Sequence, residues 1–305
     1  MSSARRPEET GPADVFYDEK EAGKYLHSSR MIEVQTTMAE RALEMLDLPE
    51  GVPSLLLDVG CGTGLSGEVL EEEGHQWVGV DVSRDMLEAA TQRDIEGDLL
   101  HDDMGRGLPF RQGAFDGAIS ISAIQWLCYA NSVEEGNPRQ RLHRFFQSLY
   151  KCLRRGARAV LQFYPQDAEQ LQLITASAMR AGFGGGLVVD FPHSTKAKKY
   201  FLVLLAGLPD EGFSMPSALG DGMSTASSAP HGLRAGGPQT AARNEGRKAH
   251  AKRKLDSREK ARKGKIAKKS KEWIMIKKEA MRKQGREVRA DSKYSGRKRN
   301  SGIKF

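Results

Sequence analysis

Residues 54 to 207 predict an α/β fold, a doubly wound and mostly parallel seven-stranded sheet. Three observations carry it: short apolar runs alternate with helical stretches, a glycine-rich turn ends the first run, and acidic residues end the second and follow the third. Strict alternation of this kind implies a sheet covered on both faces by its crossover helices.

The elements follow in order. A polar segment, 1–15, leads into residues 18 to 48, where Tyr25, Met31, Ile32, Val34, Met38, Ala42, Leu43, Met45 and Leu46 recur near helical spacing and predict one lead-in helix. LLLDVG is the first strand, followed by a helix to about Glu73. WVGVD is the second, followed by a helix from Ser83; EGDLLHDD and FDGAISISA are the third and fourth. A helix through RLHRFFQSLYKCL, the strand ARAVLQFYP, a helix at about 167 to 181, and the runs GGLVVDFP and KYFLVLLA complete a domain spanning 16–208. Residues 209–242, rich in Gly, Ser, Ala and Pro, predict a flexible linker, and 243–305 a basic tail, disordered or partly helical when bound.

The net charge of +7 hides a division. Residues 1–212 carry 21 Lys+Arg against 32 Asp+Glu, and residues 213–305 carry 26 against 8, so an acidic body precedes a basic tail. Cys61, Cys128 and Cys152 are too scattered for a disulfide framework or a zinc site, so no metal is expected and a reducing compartment fits. No apolar run approaches the roughly 18 residues that span a bilayer, and no membrane partner is expected.

The turn in LLLDVGCGTG concentrates the chemistry. Gly60, Gly62 and Gly64 let a ligand lie against the main chain, and the amides of the following helix favour an anionic group. A dinucleotide fingerprint would place glycine three positions after Gly62, where Leu65 stands. Asp81, at the end of WVGVD, suits the two hydroxyls of a ribose. With Asp58 before the first glycine and Asp103 after the third strand, the pattern resembles the class I S-adenosylmethionine-dependent methyltransferases. That resemblance implies S-adenosyl-L-methionine as cofactor: Asp58 and the glycines around the methionine part, Asp81 on the ribose, Asp103 with the Met104 backbone at the adenine.

The acceptor is narrowed by what is missing. The segment after strand four reads ISISAIQWLC, without the motif that grips an amino nitrogen, and no cysteine sits in a proline-cysteine setting for covalent attack. An acceptor that already carries a lone pair, such as guanine N7, needs positioning rather than a general base, so no catalytic base is assigned. Trp126, Phe163 and Tyr164, at or just past the strand ends, are candidates to position the base by stacking.

Taken together, FYDEKEAGKYLHSSRMIEVQ, LLLDVGCGTGLSG, GDLLHDDMGRGLPF, ISISAIQWLC, VLQFYP, GGLVVDFPHSTKAKKYF and GREVRADSKYSGRKR resemble the eukaryotic methyltransferases that make N7-methylguanosine in 18S ribosomal RNA, the family of the Williams-Beuren syndrome region protein. The resemblance implies action on the precursor of the small ribosomal subunit, a role in its biogenesis, nuclear and nucleolar location, and a heterodimer with a small zinc-containing methyltransferase activator protein. For that partner the residues offer one feature, a third strand expected at the sheet edge, where IEGDLLHDD is open to pairing with another chain.

From Arg243 to Phe305 the tail holds 25 Lys+Arg and 7 Asp+Glu, with Trp273 and Tyr294 among them, a composition suited to RNA phosphate and base stacking. The clusters KRK, KKSKEW and GRKRN equally suit a nuclear-import signal. Two other readings stay open on the residues alone: a methyltransferase for a protein or small molecule, and a ribosome-assembly factor that uses the fold mainly for binding.

Overall fold

The computed structural model describes residues 6–93, 95–129, 137–207 and 214–220, together with Met275, Lys278 and Arg282. The chain divides into two units, Met1–Ala226 and Ser227–Phe305. In the second, the three described residues are helical, and the rest of the predicted tail and most of the predicted linker lie outside the described residues.

The first unit is the predicted doubly wound sheet. Its strands are β1 (Leu55–Val59), β2 (Gln76–Asp81), β3 (Asp98–His101), β4 (Phe115–Ile121), β5 (Leu153–Phe163), β6 (Phe183–Asp190) and β7 (Lys199–Ala206). They lie in the order β3-β2-β1-β4-β5-β7-β6. All neighbours are parallel except β7, which runs antiparallel to both β5 and β6. The connections leave β1 toward β2 on one side and return to β4 on the other, so a crevice opens above the C-terminal ends of β1 and β4, where sheets of this class hold ligands.

The helices are α1 (Ala13–Phe16), α2 (Glu19–His27), α3 (Ser29–Leu46), α4 (Leu65–Glu72), α5 (Arg84–Gln92), α6 (Pro138–Cys152) and α7 (Ala168–Arg180). One face of the sheet is sealed by α6 and α7 through Leu142, Phe145, Phe146, Leu149 and Ile174. The other is sealed by α3 and α4 through Met38, Met45, Leu46, Val69 and Leu70. No helix among the described residues is long and apolar enough to cross a membrane.

Two expectations need correction. The single helix over 18 to 48 is two helices, because Ser28 takes an extended backbone (φ −81°, ψ 101°), ending α2 and accepting the Met31 amide as N-cap of α3. Serine competes for backbone hydrogen bonds in this way, which apolar periodicity does not register. The second concerns residues 214–220, assigned by composition to a flexible linker. They are tied to the domain: Leu219 donates its amide to Asp190 (2.8 Å), Phe191 donates its own to the Leu219 carbonyl (2.7 Å), and Arg41 reaches the Ser217 carbonyl (2.7 Å). Asp190, 2% exposed, also takes Arg41 Nε at 3.0 Å and so joins α3, β6 and this segment.

Candidate cofactor and acceptor site

The strand β1 ends at Val59 and the chain reverses through Gly60, Gly62 and Gly64, all at positive φ (74°, 53° and 76°). Only glycine adopts these angles without strain. The turn is pinned to β2 by the Gly60 and Cys61 amides, both donated to the Val80 carbonyl. A Cβ on Gly60 would stand 2.3 Å from Ala123 Cβ, so the turn packs directly on the loop that follows β4. Gly60 and Gly62 border the crevice; Gly64 instead caps α4 and backs onto Ile95, so it shapes the turn from behind.

Asp81 accepts the Gly62 amide through Oδ2 (2.8 Å) and the Ser83 amide through Oδ1 (2.9 Å), and each carboxylate oxygen retains a second acceptor position. Burial raises its pKa and these amides oppose that shift. Asp58 is fully buried below the turn. Its Oδ2 accepts the Ser66 hydroxyl, its Oδ1 has no partner, and burial pushes its pKa up to about 7. Thr63 Oγ1, at the crevice wall, is likewise buried without a hydrogen-bond partner. At the far end, Asp103 and Met104 border the crevice. Asp103 caps the short turn Met104–Arg106 by accepting the Gly105 amide (2.8 Å), and Arg141 of α6 reaches it at 3.4 Å.

The roof is N-terminal. Pro12, Ala13, Asp14 and Tyr17 line the crevice, which encloses about 1270 Å³ including its open mouth. Tyr17 is held by the Ser83 hydroxyl, which donates to its carbonyl (2.6 Å). Its ring lies 5.4 Å from Trp126 and 6.1 Å from Tyr25, and Phe16 adds a second ring 5.7 Å from Trp126. Behind this strap Arg6 donates to the carbonyls of Tyr164 and Pro165. Residues 12–14 of the segment 1–15, expected only to be polar, thus form part of the site.

The three candidate stacking residues part company. Trp126 lines the crevice. Phe163 is 0% exposed and packs with the α6/α7 core, and Tyr164 turns to the opposite face, its hydroxyl meeting Met38 Sδ at 3.4 Å. Because β5 is a central strand covered on both faces, Phe163 at its end and Tyr164 just past it point to opposite sides, the first buried and the second half-buried, and neither borders the crevice.

Comparison with known proteins accounts for this arrangement along almost the whole chain. Residues 57–161 match the model of a methyltransferase domain, and residues 215–301 match that of the methyltransferase involved in Williams-Beuren syndrome. The 18S rRNA (guanine-N7)-methyltransferase of Mus musculus is 52% identical over 307 residues, covering 98% of this chain and 98% of that protein. The probable enzyme of that name from Dictyostelium discoideum is 51% identical (98% and 99% covered), and the 18S rRNA (guanine(1575)-N7)-methyltransferase of Saccharomyces cerevisiae is 45% identical (96% and 98%). The chain belongs to the 18S rRNA (guanine-N7)-methyltransferase family.

The cofactor of this family is S-adenosylmethionine, and the crevice fits it. The cradle at Gly60 and Gly62 admits a ligand against bare backbone, and the orphaned Thr63 Oγ1 at the crevice wall is a polar atom in want of a partner, whereas Asp58, expected at the methionine part, is buried behind the turn and does not border the crevice. Asp81 would hold the ribose, and Asp103 and Met104 the adenine. Tyr17, Tyr25 and Arg141 complete the lining and were not singled out from sequence. The aromatic pair in FYDE, set in a polar segment, was the available signal for Tyr17; Arg141 looks like any other cation of an amphipathic helix.

Proposed function

We infer that this protein transfers a methyl group from S-adenosylmethionine to guanine N7 of 18S rRNA in the small-subunit precursor. The observation that carries the choice of acceptor is the identity of 45–52% with enzymes of that activity along almost their full length, tail included. The site supports it chemically. Bound S-adenosylmethionine supplies a methyl group made electrophilic by its sulfonium. The residues of the chain have to hold that methyl in line with the acceptor lone pair and exclude water. Burial keeps Tyr17, Tyr25 and Cys61 protonated, raising each pKa, so the crevice offers no base at neutral pH from these groups. A ring nitrogen with a free lone pair requires none. Trp126, at the crevice wall beside the Ala123 loop, is the group we assign to position the base.

The partner and location extend this reading. The β3 edge carries Leu99 and Leu100, both only half-buried, beside a free strand edge, and supports pairing with a strand of a small zinc-containing activator. The basic clusters of the tail support nuclear and nucleolar residence.

The deciding experiment maps N7-methylguanosine in 18S rRNA by reduction and chain cleavage, in cells with and without the protein. Loss of one site is expected; an unchanged map would sink the assignment. Co-expression with the activator should give a 1:1 complex in light scattering, and two separate species would remove the partner from the proposal.

A further inference from the structure

The acidic balance of residues 1–212 makes the catalytic body a poor partner for RNA, yet one surface departs from it. Among the described residues, α6 is the one α-helix without a carboxylate, while every other α-helix holds at least one. Its buried face, Leu142, Phe145, Phe146 and Leu149, points to the core. Its exposed face carries Arg139, His143, Arg144 and Lys151. The neighbouring loop extends it: Arg106, its side chain 80% exposed and 3.8 Å from Asp103, and Arg111 lie in a segment bound to α6 through Leu108 N to Ser148 Oγ (2.9 Å) and Gly113 N to the Lys151 carbonyl (2.9 Å). None of Arg111, Arg139, Arg144 and Lys151 makes an ion pair recorded among the described residues.

This strip begins at the reaction site. Arg106 and Arg141 both line the crevice, and Arg141 donates to the Tyr129 carbonyl (3.0 Å) on the acceptor side. From there the cationic positions continue along the 15 residues of α6, about 22 Å of helix. That length spans several nucleotides of backbone.

We propose that the exposed face of α6, with Arg106 and Arg111, is a phosphate-tracking surface of the catalytic domain that holds the RNA strand beside the target guanine. The inference rests on the RNA-methyltransferase reading above. It divides the work of binding: the tail supplies sequence-blind attraction, and α6 supplies contacts fixed in place relative to the cofactor. Neutralised phosphates release counterions, with a slope of log affinity on log salt near 0.7 per contact for single strands.

The test compares the full-length protein with an Arg139→Gln/Arg144→Gln/Lys151→Gln variant. A Lys20→Gln/Lys24→Gln/Arg30→Gln variant, on α2 and α3, removes the same net charge from exposed positions elsewhere. Binding of in vitro-transcribed 18S rRNA fragments and of poly(U) is followed by fluorescence anisotropy across a salt series, with cofactor affinity measured by calorimetry. The α6 variant should lower the salt slope by about 2, weaken both RNAs at least tenfold near 150 mM salt, and leave cofactor affinity unchanged. The control should change the slope by less than 0.5. Equal effects of both variants, or none from the α6 variant, would overturn the proposal, as would a matching loss of cofactor binding. If the unaltered protein binds and methylates the rRNA while the α6 variant does so equally well, only this inference fails. If the unaltered protein does not methylate guanine N7, the functional assignment itself fails.

Discussion

The Gly62 amide donates a 2.8 Å hydrogen bond to the Asp81 carboxylate, so the glycine turn and the end of β2 are a single unit. One side chain thereby sets the shape of the turn and presents two acceptor atoms to the crevice.

Replacing Asp81 by Ala should therefore injure both. Losing two hydrogen bonds to a charged acceptor costs about 3 kcal/mol, and cofactor affinity in calorimetry should fall roughly 100-fold. Asp81→Asn, which retains one amide acceptor, should lose less. Unchanged affinity in Asp81→Ala would remove the residue from the site.

Asp58 gives the ligand-free protein a pH dependence. Its folded pKa is raised, to about 7, above the ordinary carboxylate value of 3.8, so the folded state favours the protonated form. The stabilisation is complete below about pH 4 and is lost as pH climbs toward 7, at most about 4 kcal/mol. The Asp58→Asn variant does not titrate there. In chemical denaturation, wild type should lose stability relative to that variant between pH 4 and 7; parallel curves would contradict the assignment.

Gly60 and Gly74 separate contact from backbone strain. Both have positive φ, but a Cβ at Gly74 meets nothing within 4 Å, whereas one at Gly60 strikes Ala123. Gly74→Ala should cost about 1 kcal/mol and Gly60→Ala about 3 kcal/mol, with the second also weakening cofactor binding. Equal melting temperatures for the two would refute the packing account.

Trp126 can be tested as a positioning aromatic by its graded replacement. Trp126→Ala should raise KM for RNA and lower kcat by tenfold or more, because base stacking contributes about 1–3 kcal/mol. Trp126→Phe should recover most of the loss. If both variants affect only thermal stability, the residue supports the roof and not the base.

Asp190 anchors the segment after β7. Asp190→Ala leaves the half-buried Arg41 with only Glu44 and the Ser217 carbonyl and the Leu219 amide without an acceptor, a loss of about 2–3 kcal/mol. Urea denaturation should register it, and limited proteolysis should newly cut within 214–220. A protected segment would show that other contacts hold it.

The sequence made the cofactor half of the site readable because that half is local. Gly60, Gly62 and Asp81 lie within one βαβ unit and Asp103 follows the next strand, while Asp58 and Gly64, read from the same motif, stand behind the turn and do not border the crevice. What escaped is held by contacts between distant segments. Tyr17 is a pocket residue only because Ser83 and Trp126 reach it, and no periodicity near residue 17 announces that. Phe163 and Tyr164 illustrate the converse: their place at a strand end was legible, but their direction depends on β5 being covered on both faces. The break at Ser28 was a local signal, a serine cap, outweighed by the apolar pattern around it.

The strap over the crevice also bears on how the protein comes into being. Its residues leave the ribosome before every wall they will cover, and Trp126 emerges only after β4. Until then Phe16 and Tyr17 have no ring to rest on, and closing so long a loop carries an entropic cost that the sheet must first offset. The chain can thus have a formed sheet while its reaction chamber still stands open, because Phe16 and Tyr17 rest on Trp126, more than a hundred residues further on.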